Sequence, residues 1–543
     1  MTTDTIQVEV IRSALESICD EMGETLVRTS YSPNIKERRD CTTGLFTREG
    51  ELLAQAEHIP MHLGSLIGIV GAVREKFPET TIEPGDVFVG NDPHRGGGTH
   101  LPDIVLVSPI FVDGRIEAWA TNLAHHSDYA QRGHDHIFQE GLRIPPVKLI
   151  AAGVYRDDIL DLILTNMQVP AERVADFNGQ LAANRLGVQR YRDLCAKYGL
   201  QTIQAAQVEV LDHTERLVRA GIAAIPDGVY RFEDTFESNA IEQLIPLAVT
   251  VTVRGSDLLF DFEAPPQVAA GINLVRTALL AAVYYAVKSA LGADVPPNHG
   301  LGRPISIVAP HGSVLDCVAP AAVHDRIQIA QRVVDLVHGA LANAIPEKIT
   351  AASNGAVAST QFSGTDPRTD SYYVYLETIG GGTGAGACSD GLDGVHAHMT
   401  NTSNLPVESL ESEYPLVVAA YELVNDSGGA GVHRGGLGLH RKIIAQHDDC
   451  HCELNLSRMR TVPWGLNGGM PGAPARAVLN DDALVTGDEV LLRAGDSFSV
   501  YTAGGGGYGD PASRDSELAA KDELDGKVTT GTPAQRTRQR PAA

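Results

Sequence analysis

The sequence predicts an α+β fold. The chain is expected to be large and multi-layered, with a β-hairpin-rich N-terminal part, a helical middle and a glycine-rich β C-terminal part. Three observations carry this. Apolar residues recur at three- and four-residue steps near the N-terminus. Alternating strands then flank tight turns. From about residue 350, helical periodicity gives way to dense glycine and short apolar runs. In order, Val8, Ile11, Leu15, Ile18, Met22 and Leu26 make 6–27 an amphipathic helix. Segments 41–47 and 51–56 flank Arg48-Glu49-Gly50, and 104–112 and 115–123 flank Asp113-Gly114, whose residue pair suits a type I′ hairpin. Pro109, inside the latter ribbon, marks an edge or a bulge. Residues 158–226 read as helices punctuated by Pro170 and Pro226, 228–263 as strands, and 274–291 and 324–343 as buried helices. The expected regions are 1–157, 158–227 (helical), 228–350 (α/β), 351–511 (glycine-rich β) and a polar, disordered tail over 512–543.

Composition excludes several functions. With 43 Lys+Arg against 68 Asp+Glu, the 543-residue chain has a net charge of −25. A nucleic-acid binder needs a basic face, and so does adhesion to anionic membranes. The longest apolar helical stretch, 278–287, is far short of the ~20 residues that cross a bilayer. The N-terminus shows neither a basic nor an apolar signal region. Seven scattered cysteines without a CxxC pair read as reduced thiols of a cytoplasmic protein. Cys450-His451-Cys452 is the tightest cluster. Neighbours in a strand face opposite ways, so it is a poor metal site.

No P-loop, HExxH or GxSxG occurs. Gly382-x-Gly384-x-x-Ala387 is a weak dinucleotide match, because no helix opens after it. The plainer reading is close backbone approach.

The chemistry concentrates in two HxxD units, His100–Asp103 and His125–Asp128, at the open end of the Asp113-Gly114 hairpin. A two-residue turn places Pro102 opposite His125 and His100 opposite Ser127. Alternation then turns Asp103 away from the histidines, unless Pro102 ends the strand and frees it. A three-residue turn in the first hairpin places Asp40 opposite His58, with His62 close behind. Imidazole with carboxylate is the ligand set of zinc, manganese or iron. Equally, these residues form strand-end hydrogen bonds. His134-Asp135-His136 is a rival cluster in a polar loop. His396 and His398, followed by Asn401, are candidates for a substrate pocket. Arg39, next to Arg38, is a candidate anion contact.

At these residues the chain resembles the hydantoinase B/oxoprolinase family. The matching segments are Arg38-Arg-Asp40, Ala54–Ser65, Asn91-Asp-Pro-His94 with Gly96–Asp103, and His125-x-x-Asp128. Later come Pro297-Asn-x-Gly300, Gly380-Gly-Gly, Met399-Thr-Asn-Thr402 and Gly504–Asp510. They cover residues 1 to about 511. Where the family commonly has Gly-Gly after the second HxxD, this chain has Tyr129-Ala130, a departure that bears on pocket shape and so on substrate.

The resemblance implies one divalent ion, zinc first and manganese or iron as alternatives, held by Asp40, His100, Asp103 and His125. His126 and Asp128 would move protons; Arg39, His58, His62, His396, His398 and Asn401 would meet the substrate. It implies a partner, a hydantoinase A-type subunit with an actin-like ATPase fold that binds the ATP, in a heterotetramer or larger assembly. The partner phosphorylates the amide oxygen of a hydantoin, 5-oxoproline-like or lactam ring, which this chain then opens, its glycine-rich loops offering N–H groups to phosphate. The alternatives are a subunit of an ATP-dependent ketone carboxylase, a non-catalytic scaffold for the ATPase, and a stand-alone metallohydrolase.

Overall fold

The computed structural model describes residues 5–56, 58–127, 129–292 and 294–529. Helix α1 (Thr5–Thr29) buries Ile11, Leu15, Ile18, Met22 and Leu26 on one face, each such side chain stabilising by about 1.5–3 kcal/mol. The one-turn α2 (Pro33–Lys36) leads into β1 (Cys41–Thr47) and β2 (Leu52–Gln55). Helix α3 (His62–Lys76), β3 (Val87–Gly90), β4 (Asp103–Val112), β5 (Arg115–His125), β6 (Val147–Ala151) and β7 (Val154–Tyr155) complete the N-terminal half. The seven strands form one antiparallel sheet in the order β2-β1-β5-β4-β3-β6-β7. Helix α4 (Asp157–Thr165) precedes two long helices, α5 (Pro170–Tyr198) and α6 (Leu200–Ala223). Pro170 sits at the first turn of α5, where its missing N–H costs nothing. Helices α1 and α5 pack on one face of the sheet, and α3 packs on β4 and β5. Gln180 and Asn184 on α5 both hydrogen-bond to β4 and β5, so helix and sheet are fixed in register by amides as well as by apolar packing.

A second sheet, in the order β11-β10-β9-β8, holds β8 (Gly228–Phe236), β9 (Ile245–Arg254), β10 (Asp257–Glu263) and β11 (Ile305–Val308). Helices α7 (Arg276–Leu291) and α8 (Arg326–Leu341) lie between it and α3; nearly every residue of α8 is buried. One hydrophobic core runs from Phe46 through Val251 to Leu341 and Met399, so the regions expected from sequence share it.

Both hairpins occur where the turns place them, and Asp113 (φ 50°) and Gly114 (φ 79°) take the left-handed conformations of a type I′ turn. The registers differ from the simple pairing. A bulge at Glu117 changes the pairing from Phe111–Ile116 to Ile110–Ala118, and a second at Leu53 changes it from Phe46–Leu52 to Leu45–Ala54. Each bulge moves everything beyond it by one residue. Asp103, not Pro102, therefore stands opposite His125. The bulge, and no strand break at Pro102, turns Asp103 to the side of His125.

The C-terminal part carries β12 (Ala358–Asp366), β13 (Ser371–Ile379), α9 (Val407–Glu413), β14 (Leu416–Leu423), β15 (Leu439–Ala445), β16 (Cys450–Asn455), β17 (Arg476–Leu479), β18 (Ala483–Val485), β19 (Glu489–Leu492) and β20 (Ser497–Tyr501). They make sheets of order β13-β12-β16-β19 and β14-β15-β20-β17-β18. Extended glycine segments pack backbone to backbone beside these sheets. A Cβ on Gly382 would lie 1.9 Å from the Gly436 oxygen, and one on Gly505 1.9 Å from the Thr383 oxygen. Their N–H groups are consumed internally: Gly382 donates to Ala503, Gly505 to Gly436, Gly506 to Ala352 and Gly507 to Met470. The expectation that these segments offer N–H groups to phosphate is therefore corrected.

Residues 512–529, placed by sequence in a disordered tail, also differ. They carry α10 (Ser516–Leu524), N-capped by Asp515. Arg514 pairs with Asp390 and Asp522, tying this segment to the glycine layers. The low hydrophobicity that suggested disorder is compensated by charge pairing. Residues 530–543 lie outside the described part. None of the seven cysteines forms a disulfide. No helix among the described residues is long and apolar enough to cross a membrane.

Candidate functional site

The open end of the β4–β5 hairpin faces the N-terminus of α8 and the inner surface of β12, β13 and β16. A cavity between them is lined by Asp40, His62, His100, His125, Arg326 and Glu453 among others. His100, Asp103 and His125 each offer one ligand atom, and these atoms all lie within 4.8 Å of one another.

Hydrogen bonding fixes the direction of the imidazole lone pairs. His100 Nδ1 is 2.9 Å from the His324 carbonyl oxygen, which can only accept, so Nδ1 carries the proton. In the neutral ring, Nε2 then presents a lone pair to Asp103 Oδ1, 3.1 Å away. His62 repeats the pattern. The Thr42 hydroxyl donates to the Cys41 carbonyl and so accepts from His62 Nδ1 at 3.0 Å. This leaves His62 Nε2 3.4 Å from Asp40 Oδ1 and 3.9 Å from Asp103 Oδ1. Burial, then Arg326, pushes the His100 pKa down, and burial pushes His125 down to about 3. Burial opposes ionisation of Asp103, but the Arg326 guanidinium outweighs it and holds the carboxyl well below the usual range. Arg326 grips Asp103 Oδ2 at 2.7 Å, and Ser65 and Thr99 also reach that oxygen. Neutral imidazole nitrogens aimed at ionised carboxylates repel unless a cation lies between them, so this donor set fits a divalent ion.

The other candidates lie as follows. Asp40 borders the triad; its carbonyl accepts the His125 N–H, and its carboxyl is kept low, against burial, by His125, His62 and Arg38. His62, expected at the substrate, stands within the acid–imidazole cluster instead. His126 lines the cavity, but its Nε2 is 3.1 Å from Gln180 Oε1 and its ring packs on Phe177. Asp128 lies outside the described residues. Arg39 turns away from the cavity, being half-exposed and paired with Glu24 of α1 at 2.9 Å. His58 points at Gly23 of α1 rather than at Asp40, because the Leu53 bulge shifts its strand; burial pushes it down to about 4. His398 sits behind α8 in a 3.1 Å pair with Asp335, so it holds the scaffold. His396 is half-buried near Arg38, and desolvation pushes it down to about 4. Asn401 is exposed, and its side chain donates to the His58 carbonyl.

Sequence reasoning missed the run His324-Asp325-Arg326 and Glu453. The three consecutive residues head a helix that was read only as buried; polar residues at its start were the available signal. His324 also stacks on His134, 4.4 Å between ring centres, so the rival loop cluster abuts the same site. Arg38 was legible only as a charge; it is fully buried and binds Asn34, the Leu376 carbonyl and Thr378, clamping the site to β13.

The hydantoinase B/oxoprolinase family pattern matches residues 4–511. The chain is 32% identical to the B-type subunit of a putative D-/L-hydantoinase of Pseudomonas sp. (strain NS671), across 97% of this chain and 93% of that one. It is 33% identical to the beta chain of the caprolactamase of Pseudomonas jessenii, also named a subunit, across 97% and 94%. The crystal structure of ATP-dependent caprolactamase from that organism superposes with a TM-score of 0.89 at 30% identity, covering 97% and 95%. The nucleotide-free structure of acetone carboxylase also gives 0.89, at 19% identity, covering 97% and 78%, which shows a shared fold.

Proposed function

Because the chain belongs to the hydantoinase B/oxoprolinase family, and because its central cavity aims imidazole lone pairs at ionised carboxylates, we propose that it is the metal-dependent subunit of an ATP-dependent cyclic amidohydrolase. Its ring substrate arrives with the amide oxygen phosphorylated by an A-type ATPase partner. The two form a cytoplasmic heterotetramer or larger complex. The names of the relatives support the partner, since both are subunits. The observation that carries the reading is His100 Nε2 facing Asp103 Oδ1 with its own proton committed to His324.

His100, Asp103 and His125 would hold the ion, with Asp40 and His62 beside them; zinc is the first candidate for such N/O donors, with manganese or iron as alternatives. When bound, the ion supplies Lewis acidity and lowers the pKa of a water to about 7. The chain does the rest. Arg326 holds Asp103 in its ionised state and orientation, and the His324 carbonyl holds the His100 tautomer. Ser359, Thr378, Thr400 and Thr402 line the opposite wall and suit the anionic oxygens of a phosphorylated ring. Ile59, Met61, Val357 and Tyr129 close the cavity and exclude water from the reactive ester.

The test uses the complex reconstituted with its A-type partner, ATP and three rings: hydantoin, 5-oxoproline and ε-caprolactam. Asp103→Ala and His125→Ala are each expected to lose the ion and ring opening together. Retention of both by both variants overturns the assignment. The carboxylase alternative shares the fold at lower identity; incorporation of labelled bicarbonate in place of ring opening would establish it.

A further inference from the structure

Two acidic side chains outside the ion cluster share one wall of the cavity. Asp325 stands between His324 and Arg326, the two residues that brace the triad. Glu453 reaches in from β16. Both line the central cavity and also a neighbouring one bounded by the 132–135 loop, so they form the partition between the two. Glu453 is held in place: Gln131 N–H donates to Oε1 and Gln361 Nε2 to Oε2 at 2.9 Å. The Asp325 carboxyl is different. No described residue donates a hydrogen bond to it, and it is half-buried on the wall of both cavities. A carboxyl that carries protons needs such a free face toward the cavity.

We infer that Asp325 and Glu453 are the catalytic proton carriers of ring opening, sharing a single proton. The inference rests on the proposed cyclic amidohydrolase reading. Water adds to the imidate carbon; the new O–C bond forms as the C=N π pair moves to nitrogen. Glu453 carboxylate, which accepts two hydrogen bonds, takes the water proton, and protonated Asp325 gives its proton to the ring nitrogen. In the second step the C–N bond breaks with its electron pair staying on nitrogen, which takes the proton back from Glu453. The hydroxyl on carbon yields its proton to Asp325 as the carbonyl of an acyl phosphate forms. Both residues return to their starting states, and a further water releases phosphate. His126, with its ring turned to Gln180, is left out of this relay.

The surroundings suit one shared proton at neutral pH. Burial pushes Asp325 up to about 7, with Glu140 and Glu453 adding to the rise and His134 and Arg326 opposing it. Burial pushes Glu453 up to about 7 as well, Glu489 adding, and the Gln131 N–H, His134 and Gln361 opposing. His134, beside Glu140, is raised to about 8.

The experiment compares wild type, Asp325→Asn and Glu453→Gln in the reconstituted complex, with the conservative Asp325→Glu as a folding control. Ring opening of the three rings is expected to fall at least about 100-fold in both amide variants, with ion content and thermal midpoint unchanged. The limbs of the pH–rate profile near neutrality should disappear. Independently of any substrate, pH-difference infrared spectra of the wild-type chain should show a protonated-carboxyl band titrating near neutrality that each amide variant alters. Wild-type rates and profiles in the variants, or an unaltered band, overturn the inference. If wild type opens none of the rings, the functional reading fails and the infrared arm still decides the carboxyl pair.

Discussion

The N-terminal hairpins and the C-terminal glycine layers solve opposite problems with the same material, a densely packed backbone. In the hairpins, bulges at Leu53 and Glu117 re-aim side chains, and backbone carbonyls of Cys41 and His324 set imidazole tautomers. The backbone there serves side chains that remain chemically available. In the glycine layers there are no side chains to serve. Many N–H groups there go to neighbouring carbonyls, with Gly384 and Gly438 donating to the Ser353 and Ser427 hydroxyls, and the layer acts as a wall beside β12, β13 and β16. Glycine density thus marks the scaffold of this molecule, and acid–imidazole density its reactive side.

Substitutions in the two regions should separate stability from activity. The largest effect is expected for Gly382→Ala. Its Cβ would stand 1.9 Å from one backbone oxygen and 2.4 Å from the Gly505 nitrogen, where nothing flexible can yield. A loss beyond about 4 kcal/mol, seen as insoluble or unfolded protein, is the expected outcome; a near-normal melting curve would break the contrast. Next comes Asp103→Asn, which keeps the shape and removes the charge. It should cost ring opening about a thousandfold while the chain stays folded by circular dichroism, since truncation of a charged catalytic group commonly costs several kcal/mol of transition-state stabilisation. Arg326→Gln should be milder, weakening ion affinity by about 10–100-fold, measured by titration with a chelator.

A smaller effect is expected at Tyr129, whose ring packs where a Cβ on Gly141 would be, 2.5 Å away. Tyr129→Gly should lower KM for larger rings relative to smaller ones, leaving kcat for the best substrate within about threefold. The smallest is a pH effect. His396 is held down to about 4, mainly by burial. The folded form therefore binds fewer protons than the unfolded chain between pH 6.5 and 4. The stability this residue contributes is full above 6.5 and is lost as pH falls through that window. His396→Gln should flatten the acid side of a plot of thermal midpoint against pH; an unchanged slope would remove His396 as a contributor.

The contrast also explains what was legible beforehand. Helix α1 could be read because its burial has a single period, and both hairpin turns because Asp-Gly and Glu-Gly fix local backbone conformation. The register could not, because Glu117 and Leu53 look like ordinary strand residues and only pairing reveals that they are extra. The two HxxD units were visible as residue types, but their assembly with His62 depended on that register. Arg326, Asp325 and Glu453 approach from more than 200 residues away along the chain, a juxtaposition that no local pattern encodes. His398 was misread for the converse reason: a histidine beside glycine resembles a pocket residue, yet tertiary packing gave it Asp335 as a partner. The order in 512–529 was hidden because ion pairs with Asp390, not apolar burial, secure that segment.

The most direct test of the account is the divalent-ion content of purified chain, measured together with anomalous scattering at the ion's absorption edge. One ion per chain is predicted, seated between His100, Asp103 and His125 and missing from His100→Ala. An ion-free wild-type complex that opens its ring at full rate, or an anomalous peak elsewhere in the molecule, would contradict it.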